Sequence, residues 1–137
     1  MNYLLDTNAC IALINGKPVT VRTKFQKATD SGAQVFVSSI ALFELWYGVA
    51  KSSRREFNRK RLETFLAGPV HPLPFEDGDA EIAGAIRADL ESVGKPIGAY
   101  DLLMAGQSMR NKLTLITANV REFARIKTLA WVDWGKP

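Results

Sequence analysis

Two short apolar runs that stop abruptly at small polar residues limit what this chain can become. Tyr3-Leu4-Leu5 breaks off at Asp6-Thr7-Asn8, and the run from Leu113 empties into Thr117-Ala118-Asn119. A run that is apolar at consecutive positions and too short for a helix reads as a strand covered on both faces, the hallmark of a parallel sheet. The polar residues after each run then lie at the carboxyl edge of a sheet, where open α/β folds gather their ligands. Asp6 is the one charge in the first stretch and the first candidate for chemistry. It is equally well placed to cap the next helix, because Asp, Thr and Asn all serve as N-caps.

Helical patterns separate the strands. Ala9 to Ile14 is apolar and ends at Asn15-Gly16, with Pro18 ready to start a second helix in which Val21, Phe25 and Ala28 share a face. Asp30-Ser31-Gly32 closes it, and Gln34 to Ser38, β-branched and aromatic, predicts the next strand. Ser39 is the expected cap of a helix from Ile40 to Lys51. Ser53-Arg54-Arg55-Glu56 has capping-box spacing and opens a helix that runs past Phe57, Leu62, Phe65 and Leu66 to Gly68-Pro69. Val70 to Leu73 predicts an edge strand, since Pro72 and Pro74 bar a central place. Ala83, Ile86, Leu90 and Val93 form the stripe of a helix from Asp77 to Val93, with the acids Glu76, Asp77, Asp79, Glu81, Asp89 and Glu91 expected on its outer surface. Another helix carries Asp101 in its first turn and continues to Asn111. The strand Leu113 to Thr117, a short helix from Arg121 to Ile126 and an extended piece near Leu129 to Val132 complete the chain. Strands alternating with helices predict one domain over residues 1–137, a three-layer α/β/α fold with a mainly parallel sheet of four to five strands.

Composition removes several function classes. With 137 residues, 47% of them apolar and 23% charged, the chain has ordinary globular usage. No apolar run approaches the length of a membrane span and no basic segment with a cleavable apolar stretch opens the chain, so a cytoplasmic location is expected. Cys10, the single cysteine, cannot form an internal disulfide and fits a small core position. His71, the single histidine, cannot supply a two-histidine acid–base pair or a multi-histidine zinc site. A net charge of +4 and a pI near 9.4 favour a polyanionic partner. Lys51, Arg54, Arg55, Arg59, Lys60 and Arg61 crowd one segment, either as a solvated helix face or as a surface for phosphates.

Two further acids join Asp6. Glu44 shares its helix face with Ile40, Ala41, Tyr47 and Gly48, so it lacks a basic neighbour on its own helix. Asp101 is flanked by Ile97, Met104, Ala105 and Ser108 and sits where a helix dipole favours a carboxylate. A salt bridge to another helix, or simple charge complementarity, would also account for these two. Since all follow strands or open helices near strand ends, Asp6, Glu44, Asp101 and Asn119 can meet at one edge. Clustered carboxylates repel, raising at least one pKa unless a cation intervenes. An oxygen-ligated divalent ion such as Mg2+ would resolve the conflict and equip the site for phosphodiester hydrolysis.

The same residues carry a family resemblance. Leu4-Leu5-Asp6-Thr7-Asn8, Ser38-Ser-Ile-Ala-Leu-Phe-Glu44-Leu-Trp-Tyr-Gly48, Ile97-Gly-Ala-Tyr-Asp101-Leu-Leu-Met-Ala105 and Thr117-Ala-Asn119-Val-Arg-Glu-Phe123, in order and spanning nearly the whole chain, resemble a PIN domain. The tighter resemblance is to the VapC toxins of bacterial VapBC toxin–antitoxin pairs. It implies a metal-dependent endoribonuclease in which Asp6, Glu44 and Asp101 hold Mg2+ or Mn2+. Asn119 stands where many members carry a fourth acid, which leaves fewer negative charges for a second ion. Thr7, Asn8, Ser38 and Thr117 would orient the carboxylates or bind a phosphate. Arg54, Arg55, Arg59, Lys60 and Arg61 would contact RNA. The resemblance further implies a homodimer, a VapB-type antitoxin that wraps the toxin and alone binds DNA, and an RNA substrate, with the anticodon loop of initiator tRNA as the first expectation.

Two other readings stay open on the residues alone. A small Mg-dependent phosphohydrolase also places acids at strand ends, although Asp6 lacks a second Asp two residues on and no Gly-rich phosphate loop is present. A non-catalytic RNA-binding module would keep the fold without the reaction, at the electrostatic cost of holding three acids together unused.

Overall fold

A computed structural model describes residues 1–137 throughout. In chain order the elements are β1 (Tyr3–Leu5), α1 (Thr7–Asn15), α2 (Val19–Asp30), β2 (Val35–Ser38), α3 (Ser39–Lys51), α4 (Arg55–Leu66), β3 (His71–Leu73), α5 (Asp77–Ser92), α6 (Ala99–Arg110), β4 (Thr114–Ile116), α7 (Val120–Phe123) and β5 (Trp131–Val132). The five strands form one sheet in the order β3-β2-β1-β4-β5, and every pairing is parallel. Strand order therefore reverses between β1 and β4, and a crevice opens beyond the carboxyl ends of these two strands. Pro72 lies on the edge strand β3, where a missing N–H is tolerated.

Helices cover both faces of the sheet, as the unbroken apolar strands require. Leu5, Val35, Val37 and Ile116 pack with Cys10 and Leu13 of α1, Val21 of α2, Ala41, Leu45 and Val49 of α3, and Leu62 of α4. Leu4 and Leu115 point the other way, onto Ile86 and Leu90 of α5, Leu102 and Ala105 of α6, and Phe123 of α7. Successive strand residues thus feed opposite layers, the period of two expected of a pleated strand. The helices α5 and α6 cross at Gly106, where an added Cβ would stand 2.7 Å from the backbone nitrogen of Ala83. Gly16 ends α1 with φ 73°, the left-handed conformation that favours glycine, and its N–H closes on the carbonyl of Ala12.

Several local expectations shift. Ser38, not Ser39, caps α3, its Oγ accepting from the N–H of Ile40 at 3.0 Å. Ser39 is the first helical residue, and its hydroxyl accepts from Phe75 N–H at 2.9 Å instead. The capping box at Ser53 to Glu56 does not form: Arg54 occupies the N-cap position, Ser52 accepts from Arg54 N–H at 3.0 Å, and Glu56 pairs along the helix with Arg59 at 3.6 Å. Val93 is exposed because α5 ends at Ser92, one residue before the stripe would use it. Asp79 leaves the acidic outer face altogether. It turns inward at the start of α5, accepting from Glu76 N–H at 2.8 Å and pairing with Arg110 at 3.1 Å, and is fully buried. The short helix is only Val120–Phe123, and β2, β4 and β5 are each trimmed relative to their apolar runs.

Candidate active site

Sheet register aligns the site. Leu5 pairs with Val37 on one side and Ile116 on the other, and Ile116 pairs with Val132. The residues just beyond, or at, the strand ends are Ser38, Asp6, Thr117 and Asp133, which form one row across β2, β1, β4 and β5. Asp6 is placed to serve as cap and stands at the crevice as well. It is the N-cap of α1, accepting from Ala9 N–H at 2.7 Å, and it is buried at the crevice. Burial raises its pKa most, Glu44 and Asp133 raise it further through their charges, and the Thr117 hydroxyl and Ala9 N–H only partly offset this.

The other acids approach from the helices. Glu44 projects from α3 and accepts from the hydroxyl of Thr7, the residue after Asp6, at 2.5 Å. Asp101 sits in the first turn of α6, half-buried, and its pKa is pushed up to about 7, chiefly by burial, then by its hydrogen bond with Glu122 and by the charges of Glu122, Asp6 and Glu44. The partner in that pair, Glu122, is held low by the hydrogen bonds from Asp101 and Asn119 and by the N–H of Gly98. Asn119 donates its amide to Asp101 at 3.1 Å and to Glu122 at 2.6 Å. The amide is thus a bracket between two acids, Asp101 and Glu122, the latter one short helical turn after Asn119.

Sequence reasoning missed Glu122 and Asp133. A signal existed for both: Glu122 lies three residues after Asn119, on the same face of α7, and Asp133 comes after a short apolar run just as Asp6 does. Ser38 is buried and acts by starting α3, which carries Glu44. Thr117 accepts from Asn119 N–H at 2.9 Å, fixing the loop after β4. Asn8 is exposed in the first turn of α1, at the rim of the crevice.

The basic segment lies on α4. Arg61 is committed to the end of α1, donating to the Ile14 carbonyl at 3.2 Å and to Asn15 at 2.7 Å. Arg54 stacks over Phe57 at 4.0 Å and Arg59 over Trp46 at 5.4 Å, while Arg55 and Lys60 stand free in solvent. A groove lined by Ile11, Ile14, Glu44, Leu45 and Arg61 lies between α1, α3 and α4.

The donor set suits a hard divalent ion. Every candidate ligand is a carboxylate oxygen; Cys10 is buried with its thiol pKa pushed up, and His71 lies exposed on the edge strand against Phe36. No three of these acids close into a cage.

The PIN domain family model matches residues 3–129. The chain belongs to the PIN-domain family. Within it, the chain is 36% identical over 135 residues to the tRNA(fMet)-specific endonuclease VapC of Shigella flexneri, covering 98% of this chain and 99% of the relative. It is 36% identical over 136 residues to ribonuclease VapC2 of Rickettsia felis, covering 99% and 100%. Among solved structures, VapBC2 from Rickettsia felis bound to a promoter DNA fragment superposes with a TM-score of 0.91 at 34% identity, covering 98% of this chain and 99% of that one. DNA-bound VapBC from Salmonella typhimurium gives 0.89 at 37% identity, covering 98% of each chain. The fold is therefore that of the VapC ribonucleases, toxin components of VapBC pairs, and PIN-domain ribonucleases work with divalent metal. No helix is long and apolar enough to cross a membrane.

Proposed function

We propose that the whole chain, residues 1–137, acts in the cytoplasm as a single-domain endoribonuclease toxin whose Asp6, Glu44 and Asp101 hold Mg2+ or Mn2+, with Glu122 as the fourth acid. The carrying observation is the unmatched charge at the crevice: Asp6 is buried beside Glu44 and Asp133 without a cationic partner, and Asp101 is raised to about 7. Within a structural ion pair such acids would be matched by Lys or Arg. When bound, a divalent ion supplies a lowered pKa for a water and neutralisation of charge on the phosphate oxygens. The chain's own groups do the rest. Asp6 is fixed by the α1 cap and Glu44 by Thr7, so neither needs to reorganise as charge develops. In the metal-free site Asp101 keeps a proton beside Glu122 up to about neutral pH, and a divalent ion would take the place of that proton. Asn119 keeps the pair in register.

The substrate is RNA. The specificity in the name of the Shigella flexneri relative makes the initiator tRNA the first candidate here. Arg55 and Lys60, with Arg54 and Arg59 stacked on aromatics, would add sequence-blind affinity for its phosphates. A VapB-type antitoxin neutralises the toxin, and the α1–α3–α4 groove, with Glu44 in its wall, is the surface we assign to its wrapping segment. DNA contact belongs to that antitoxin, and the toxin works as a homodimer. The test is cleavage of a total tRNA pool by antitoxin-free protein with Mg2+, with Mn2+ and with EDTA, beside Asp6→Ala. A discrete metal-dependent product lost in the variant is expected. RNA binding indifferent to EDTA, with no cleavage of any RNA, would instead establish a binding module.

A further inference from the structure

Beside Asp6, on the side away from Glu44, the carboxyl edge of the sheet opens into a second cavity of about 230 Å³ between α1, the Lys17-Pro18 turn, the loop after β4 and the C-terminal tail. We propose that this cavity is a nucleobase subsite, which seats the base adjoining the scissile phosphate; the proposal rests on the ribonuclease reading above.

Its position carries the first step. Thr117 and Asp133, the row neighbours of Asp6 on β4 and β5, both line the cavity, and Asn8, two residues past Asp6, forms its rim. A phosphate held at Asp6 therefore has its neighbouring base within reach of this opening. The size fits as well: a cavity of about 150 Å³ suffices for a benzene ring, so 230 Å³ admits one unstacked base. The chemistry of the walls is that of a ligand site, apolar surfaces with a few convergent polar groups. Ala12, Pro18 and Trp134 offer apolar contact, while Asn8 presents both a donor and an acceptor. Sequence-specific RNA recognition works on unstacked bases read along their polar edges.

Asp133 gives the subsite a preference. Its Oδ1 accepts from Gly135 N–H at 2.8 Å, which orients the carboxylate, and the second oxygen is an acceptor only. An amino group on adenine, cytosine or guanine donates to that acceptor, whereas uracil offers it only a ring N3–H flanked by two carbonyl oxygens that the carboxylate repels, so uracil is disfavoured. Lys17, exposed at the mouth, is placed for the phosphate that leads away from the base.

The experiment uses RNA stem-loops containing the cut site, with an abasic residue or uracil introduced singly at each flanking position. Cleavage is measured as kcat and KM with divalent metal, and affinity is measured for the same RNAs in EDTA. In the wild type one flanking position is expected to be sensitive, an abasic residue there lowering kcat/KM and affinity about tenfold, the scale of losing one base contact. Ala12→Leu, which fills the cavity and leaves Asp6, Glu44 and Asp101 in place, should lower kcat/KM on intact RNA about tenfold, mainly through KM, and make the abasic substitution silent. Asp133→Asn should erase the penalty for uracil. Ala118→Leu, at an exposed position on the same cavity, replaces Ala12→Leu if that variant melts early. An abasic penalty that persists in the filled variant, or a flat abasic series, overturns the subsite. A wild type that cleaves no RNA removes the nuclease reading, and the affinity comparison still decides the cavity.

Discussion

Asp6 and Asp79 are both buried carboxylates, and the fold treats them in opposite ways. Asp79 is fully buried and satisfied from within: Arg110 lies at 3.1 Å, Glu76 N–H at 2.8 Å and Asn111 at 3.4 Å. Asp6 is 4% exposed, receives one backbone N–H at 2.7 Å and the approach of a threonine hydroxyl, and faces the charges of Glu44 and Asp133. A protein that buries an acid for structure supplies the cation itself, whereas one that buries an acid among acids has left that place to something outside the chain. The two residues therefore separate stability from activity within one small molecule.

That separation is sharpest in substitution. Asp6→Asn should lower RNA cleavage by roughly a thousandfold, as removal of an essential electrostatic group does, while leaving the melting temperature at pH 8 unchanged or higher. Asp79→Asn should do the reverse. It leaves Arg110 without its buried partner and weakens the α5–α6 crossing, a loss of about 3 kcal/mol, with activity per folded molecule retained. Thermal melts beside a single-turnover assay check both. Equal destabilisation by the two variants would break the comparison.

Glu122→Gln extends the contrast to the residue that the sequence pattern did not single out. The substitution removes the negative partner that helps hold Asp101 near 7. Cleavage should fall roughly a hundredfold or less, a smaller loss than at Asp6, the range of a group that tunes metal ligands. The pKa of Asp101, followed by carboxyl NMR, should move down toward the ordinary carboxylate range. A full-activity variant with an unmoved Asp101 would remove Glu122 from the site.

The raised Asp101 also makes the stability of the metal-free protein depend on pH. Its carboxyl titrates at about 4 unfolded and about 7 folded. The native state holds the extra proton between these values, so this group's contribution to stability is full below about 4 and is lost as pH rises through about 7. Mg2+ or Mn2+ competes with that proton, so either should raise the melting temperature more at pH 8 than at pH 5. An ion-induced shift that is independent of pH would place the ion away from Asp101.

Most of the architecture was legible because strand and helix periods are local. Tyr3-Leu4-Leu5, Gln34 to Ser38 and Leu113 to Thr117 read as covered strands, and their order of appearance between helices predicted the parallel sheet. Asp6, Glu44 and Asp101 were legible as acids on poorly solvated faces. The residues that escaped were set by tertiary partners. Asp79 looked like any exposed helix acid until Arg110, from another helix, came within 3.1 Å. Glu122 looked like a surface residue of a short helix until Asn119 and Asp101 turned toward it. Asp133 entered the site through the register of a two-residue strand, too short to leave a pattern of its own.

The same division between groups matched by the fold and groups left free runs through the cations of α4, where the effects are smallest. Arg61 is the counterpart of Asp79: it closes the end of α1 through Ile14 and Asn15. Arg55 and Lys60 are the counterparts of the open site, exposed and without a matched acid at salt-bridge distance, and their charge is available to RNA phosphates. Arg55→Ala and Lys60→Ala should leave the melting temperature unchanged and weaken binding of all RNAs alike. Each should also flatten the slope of log K against log salt by roughly 0.7 to 0.9 per lost phosphate contact. Arg61→Ala should instead lower stability by about 1 kcal/mol, the scale of a lost hydrogen bond from a charged donor, with a smaller change in salt slope because its donors already have acceptors in the chain. Salt titrations of RNA binding by the three variants decide this, and an Arg61→Ala slope change equal to those of Arg55 and Lys60 would show that capping α1 does not keep that guanidinium from the RNA.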